Sequence, residues 1–142
     1  MKKIRYFIVS IIVLCMIFAS TIVTYAADTY LSFGSKTGNV NVKKYADKYD
    51  DTWYGLTSQT YNSSTGYTTK FTIKVNARTI SADATNFNNF AKSTVTHEFG
   101  HVFWLCDNPN TSKSSIMKYS RNRNGMTAPQ TFDVDNVNAK YD

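Results

Sequence analysis

The chain has 142 residues, 42% of them hydrophobic and 15% aromatic, with sixteen Lys and Arg against ten Asp and Glu for a formal charge of +6. That length supports one modest core and argues against several domains. Three of the bases, Lys2, Lys3 and Arg5, precede an apolar run from Tyr6 to Val23; without residues 1–26 the balance is thirteen bases against ten acids, or +3, with no basic stripe, which excludes nucleic acid as the expected partner.

A basic start, an apolar middle and small residues at Ala26 and Ala27 read as a secretory signal peptide cleaved after Ala26, leaving residues 27–142 as the domain. An uncleaved membrane anchor is the second reading of the same run. Thr29–Phe33 alternates weakly up to Gly34 and predicts a short first strand. From Val42 to Trp53 the large residues Val42, Tyr45, Tyr49 and Trp53 fall three and four apart, with Lys and Asp between them, and predict an amphipathic helix ended by Gly55. Leu56–Tyr61 reads as a strand and Asn62–Gly66 as a turn. Thr69–Asn76 alternates strictly, with Phe71, Ile73 and Val75 inward and Lys70, Thr72 and Lys74 outward. Ala77–Asn89 is polar and reads as loop, with a short extra strand around Thr79–Ile80 as an alternative.

A second helix is expected to begin near Asn89 or Ser93, with Phe90, Val95, Phe99, Val102 and Phe103 toward the sheet. After Asp107 come a loop at Asn108–Ser112, a short apolar island at Ser114–Tyr119 and a polar segment, Arg121–Gly125. Pro129 then leads to Asp133, read as the N-cap of a last helix whose buried stripe is Val134, Val137 and Tyr141. The layout is an α+β domain: a small, mostly antiparallel or mixed sheet packed on an N-terminal helix and a second helix, plus a C-terminal helix.

The second helix carries the chemistry. Its stretch T-H-E-F-G-H-V-F-W-L-C-D, Thr96 to Asp107, holds both histidines of the chain, His97 and His101, and its one glutamate, Glu98. Residues four apart on a helix share a face, so two imidazoles can grip one zinc ion with Glu98 beside a water. No histidine or glutamate follows His101, so a third ligand must come from Cys106, Asp107, Asp133, Asp135 or Asp142. Asp107 is the favoured donor, being near in sequence with a hard oxygen suited to zinc at an open site. With Cys15 removed in the signal, Cys106 is alone and forms no intramolecular disulfide.

His97-Glu98-x-x-His101, Asp107 six residues on and Met117 beyond resemble the metzincin metalloproteases, and aspartate as third ligand is similar to the snapalysin group of small secreted bacterial proteases. The order before the motif is similar to matrixin-like catalytic domains. The resemblance implies a single zincin domain, with His97, His101 and Asp107 as zinc ligands, Glu98 as general base and Met117 as a structural turn under the metal. Tyr119 stands where astacin-like and serralysin-like relatives carry a tyrosine that approaches the metal, which implies a bond to the developing oxyanion. The pocket beside the metal is implied to be walled by Ser120–Thr127. One position departs from the pattern: Trp104 stands where the clan has glycine.

The expected activity is therefore a secreted, monomeric zinc endopeptidase acting on peptide or protein substrates through one zinc ion, with Glu98 moving the proton. The alternative is an inactive zincin-fold module that binds a partner at the cell surface. Structural calcium has no ordered loop pattern to support it.

Overall fold

A computed structural model describes residues 47–141 in full and the backbone of residues 27–33 and 36–42. The segment read as an export signal, Cys15 within it, and Asp142 lie outside the described residues. Two antiparallel pairs form: Ala27–Phe33 (β1) with Lys36–Val42 (β2), and Gly55–Tyr61 (β3) with Thr68–Val75 (β4). Three helices follow, Ala77–Asp83 (α1), Phe87–Val102 (α2) and Thr131–Tyr141 (α3), so the class is α+β.

The β3–β4 hairpin forms where period-two alternation predicts it. Lys70, Thr72 and Lys74 are exposed, Phe71 and Ile73 half-buried and Val75 buried. Gly55 pairs with Val75 and Leu56 with Lys74, down to an irregularity at Thr60/Tyr61. The turn closes on its own chemistry: Asn62 Oδ1 accepts the amides of Ser64 at 2.8 Å and Thr65 at 3.2 Å, and Gly66 takes φ 72°.

The helix expected over Val42–Trp53 does not form among the described residues of that range. Val42 closes β2, residues 43–46 lie outside the described residues, and residues 47–54 run irregularly, with Asp47 making a parallel bridge to Asn76. The reason is competition for carbonyls. Asn76 Nδ2 donates to Tyr49 O and Asp51 O, Arg78 donates to the same two oxygens, and the Thr79 hydroxyl donates to Trp53 O. Tyr49 O, which takes two of these donors, and Asp47 O, which accepts the Ala77 amide at 3.3 Å, are acceptors that a helix would use, and Tyr49 and Trp53 pack ring on ring instead, centroids 4.8 Å apart.

The expected loop at Ala77–Asn89 is corrected in the same region. Asn76 caps α1, its Oδ1 accepting the Arg78 amide, and Asn86 caps α2 with Oδ1 on the Asn89 amide, so α2 starts ahead of Asn89. Asn86 lies in the polar run that reads by composition as loop, and Asn76 closes the run that reads as strand.

In α3, Asp133 is not the cap. It sits in the first turn, buried, where its Oδ2 accepts the Gln130 amide at 2.8 Å and the Ile116 amide at 2.8 Å, and its Oδ1 accepts the Ser115 hydroxyl at 2.5 Å. One carboxylate thereby joins the start of α3 to the segment at 115–117. The core lies between α2 and the hairpin, with Val75, Ile80, Phe90, Val95, Phe99, Val102, Ile116, Met117 and Val137 buried together.

Candidate metal centre

Helix α2 divides its faces as the spacing predicts. Phe90, Val95, Phe99 and Val102 go to the core, while Thr94, His97, Glu98 and His101 line a cleft of about 480 Å³. Gly100 lies between the histidines, and a side chain there has no room: a Cβ would lie 2.6 Å from Met117 Sδ. Met117 is thus seated directly against the helix, 1% exposed, as a floor.

Each histidine is oriented by a carbonyl. His97 Nδ1 lies 3.0 Å from Ile116 O and His101 Nδ1 lies 2.8 Å from Leu105 O. A carbonyl oxygen only accepts, so in each ring Nδ1 carries the hydrogen and Nε2 presents a lone pair. The two Nε2 atoms meet Asp107 Oδ1 at 3.0 Å and 3.4 Å. The edge of a tetrahedron of zinc ligands is about 3.3 Å for bonds of the usual length. Two Nε2 atoms and one carboxylate oxygen therefore converge on a single point, an arrangement that a shared metal ion, or a proton on one of the rings, makes favourable.

Glu98 also comes within range, since a carboxylate oxygen of Glu98 and the ring nitrogens of His97 and His101 lie within 4.8 Å of one another and form a group that could hold a metal ion. Its other contacts separate its role from that of Asp107. Thr57 of β3 places its hydroxyl 2.8 Å from Glu98 Oε2 and 2.9 Å from the Glu98 carbonyl, and Gly55 lies so close that a Cβ there would meet Glu98 Oε1 at 2.7 Å. Glu98 is held against the strand, beside the histidines, and Asp107 completes the set with them.

The backbone delivers Asp107 through a sharp turn. Trp104 has φ 65°, with its amide donating to His101 O at 2.9 Å and the Leu105 amide donating to Gly100 O at 3.1 Å. This is the Schellman ending of a helix, in which the left-handed residue is usually glycine. A non-glycine residue there costs on the order of 1–2 kcal/mol. Trp104 packs edge-on to Tyr61 at 5.0 Å with the Lys140 ammonium 5.4 Å above its ring, which offsets part of that cost. The Asn108 amide then donates to Met117 O at 2.9 Å and fixes the chain just past Asp107.

The electrostatics suit metal capture. Burial, helped by the charge of Arg121, lowers the His97 pKa to about 4, so the ring is neutral and its lone pair free at neutral pH. Burial pushes the Glu98 carboxyl up, and the Thr57 hydroxyl opposes that rise. The Asp107 charge holds the phenol of exposed Tyr119 up.

The structure thus brings His97, Glu98, His101, Asp107 and Tyr119 to one cleft, with Met117 beneath. Cys106 is exposed and does not line that cleft, and Asp133 serves the 115–117 turn instead. Three participants carried no individual signal in the sequence reading: Gly55, Thr57 and Arg121. Arg121 sits in a segment read as polar, yet it is 9% exposed. Its place four residues after Met117, in the stretch implied to wall the pocket, was the one available pointer. Searched against protein-family models, curated proteins and solved structures, the chain matches none of them.

Proposed function

We propose that the chain is a zinc-dependent endopeptidase of the metzincin kind, with His97, His101 and Asp107 as ligands and Glu98 as general base. The observation that carries this reading is the meeting of two Nε2 lone pairs and one carboxylate oxygen around a single point, beside a fourth group suited to proton transfer. Two imidazoles and a carboxylate also suit ferrous iron. What favours zinc hydrolysis is Glu98, a buried carboxylate at the open side of the set with its pKa raised, as a base working near neutral pH requires.

A zinc ion held by His97, His101 and Asp107 would supply Lewis acidity toward a water and a peptide carbonyl. Thr57 holds Glu98 Oε2, which leaves Oε1, facing Gly55 at the cleft edge, to take the proton from the attacking water. Glu98 then returns that proton to the leaving amine. Tyr119, exposed beside Asp107, takes the role that the metzincin resemblance implies, donating its hydroxyl to the oxygen that gains charge. Met117 does no chemistry and supports the helix under the histidines.

Support for an active enzyme over an inactive binding module comes from Asp107, which reaches both rings although Trp104 occupies the glycine position. Export rests on the composition of residues 1–26. The purified domain should hold one zinc per chain and cleave casein. Glu98→Gln should lower kcat by about 10²–10⁴-fold with zinc content unchanged. Undiminished cleavage by that variant, or iron in place of zinc in the metal analysis, sinks the assignment.

A further inference from the structure

We propose that the cleft selects substrates carrying an acidic side chain, aspartate or glutamate, next to the bond that is cut, and that the Arg121 guanidinium receives it with help from Arg123. The inference rests on the endopeptidase reading above and adds a substrate class to it.

Arg121 lines the cleft with His97, Glu98 and Asp107 and is almost fully buried. Its Nε donates to Ser93 Oγ at 3.3 Å and its Nη1 to Lys118 O at 2.9 Å, both neutral oxygens. A guanidinium has five N–H groups in a planar fork, and Nη2 has no acceptor among the described residues. Nor does any described carboxylate pair with it. Glu98 is committed to Thr57, Asp107 to the histidines, and Asp133 to Ser115, Ile116 and Gln130. Glu98, Asp107 and Asp133 act on the Arg121 charge through space without a direct bond to it, and a planar fork matches a carboxylate through two parallel bonds, which leaves the fork itself to be filled. An anion that arrives with the substrate meets that need.

The second guanidinium strengthens the field on the same wall. Arg123 lies over the Tyr54 ring at 5.1 Å and donates from Nη1 to Tyr119 O at 3.1 Å, both residues lining the cleft. Burial, with Arg123 nearby, lowers the Arg121 pKa to about 10, which leaves it charged at neutral pH. A divalent ion in the site would be balanced by Asp107 and Glu98, so the two guanidiniums set the net charge that a substrate meets.

The competing role for Arg121 is a brace, since its two bonds tie the segment after Met117 to α2. The experiment separates the two. Zinc-loaded protein is given a peptide library randomised on both sides of the scissile bond, and cleavage sites are read by mass spectrometry. Glu or Asp should be preferred at one flanking position by about ten-fold over Gln or Asn. For a matched Glu/Gln peptide pair, the ratio of kcat/KM should fall toward one in Arg121→Gln, fall less in Arg123→Gln and be partly kept in Arg121→Lys. Because it is a ratio within one variant, it does not depend on how much of that variant folds. Cleavage without an acidic preference, or a preference that survives Arg121→Gln, overturns the inference and leaves the endopeptidase reading standing; if no peptide is cut, both fall.

Discussion

The floor of the cleft and its rim are held by different kinds of bond. The floor is cross-linked and buried: His97 is fixed on Ile116 O, Ser115 and the Ile116 amide are fixed on Asp133, and Met117 fills the hollow at Gly100. The rim, residues 47–57, is irregular up to β3 and largely exposed, and side chains of Asn76, Arg78 and Thr79 clasp it through its carbonyls. One bond, Thr57 to Glu98, carries rim geometry to a reactive group. Groups that must keep their geometry are set in the part of the molecule where a lost bond costs most.

The sharpest way to break that division is Asp133→Ala. It strands two backbone amides and one hydroxyl, and should lower unfolding stability by about 3–4 kcal/mol in denaturant titration. Because the Ile116 carbonyl that orients His97 moves with that turn, zinc affinity should fall by about 10–100-fold. A variant that loses stability but keeps full metal affinity would show that the floor does not position the histidines.

Thr57→Val tests the single link between rim and floor. Thr57 counters the burial that raises the Glu98 pKa, so without it that pKa rises further. Glu98 must be deprotonated to act as a base, so the acid limb of the kcat/KM profile should move to higher pH. Stability should change by only about 1 kcal/mol. An acid limb that stays in place, or moves to lower pH, would mean that Thr57 does not tune the base.

The smallest effect is expected from Trp104→Gly. Relief of the left-handed strain and loss of an unpaired buried indole N–H oppose the loss of the Tyr61 and Lys140 contacts. Thermal unfolding should therefore place the variant within about 1 kcal/mol of the parent. A loss of more than about 3 kcal/mol would make the ring, and not the turn, the reason for tryptophan here.

The two regions also differ in how far they were legible beforehand. From His97 to His101 the spacing of donors says which side chains share a face, Asp107 is the favoured one of five candidate donors, and Met117 is implied by the metzincin resemblance; the structure brings the four together. Trp104 was legible as an anomaly, and its φ of 65° gives the physical content: the turn is made with the wrong residue. Residues 42–53 misled because a three-and-four spacing of Tyr and Trp says which side chains are large, but not where their backbone carbonyls find donors. Those donors, Asn76, Arg78 and Thr79, lie more than twenty residues away. Arg121 was hidden for a similar reason, since composition marks an arginine as polar and only the packing of the 115–121 segment on α2 buries it.

The bond between Asp133 and the 115–117 turn has a bearing on timing. A chain is synthesised from its N-terminus, so His97, His101 and Asp107 exist well before α3 does. Until α3 is made and docked, Ser115 and Ile116 lack their bonds to Asp133, and the carbonyl that sets the His97 ring is held less firmly. A growing chain therefore carries all its metal-binding side chains in an unassembled state. Assembly of the candidate site is thereby coupled to the arrival of the last described helix.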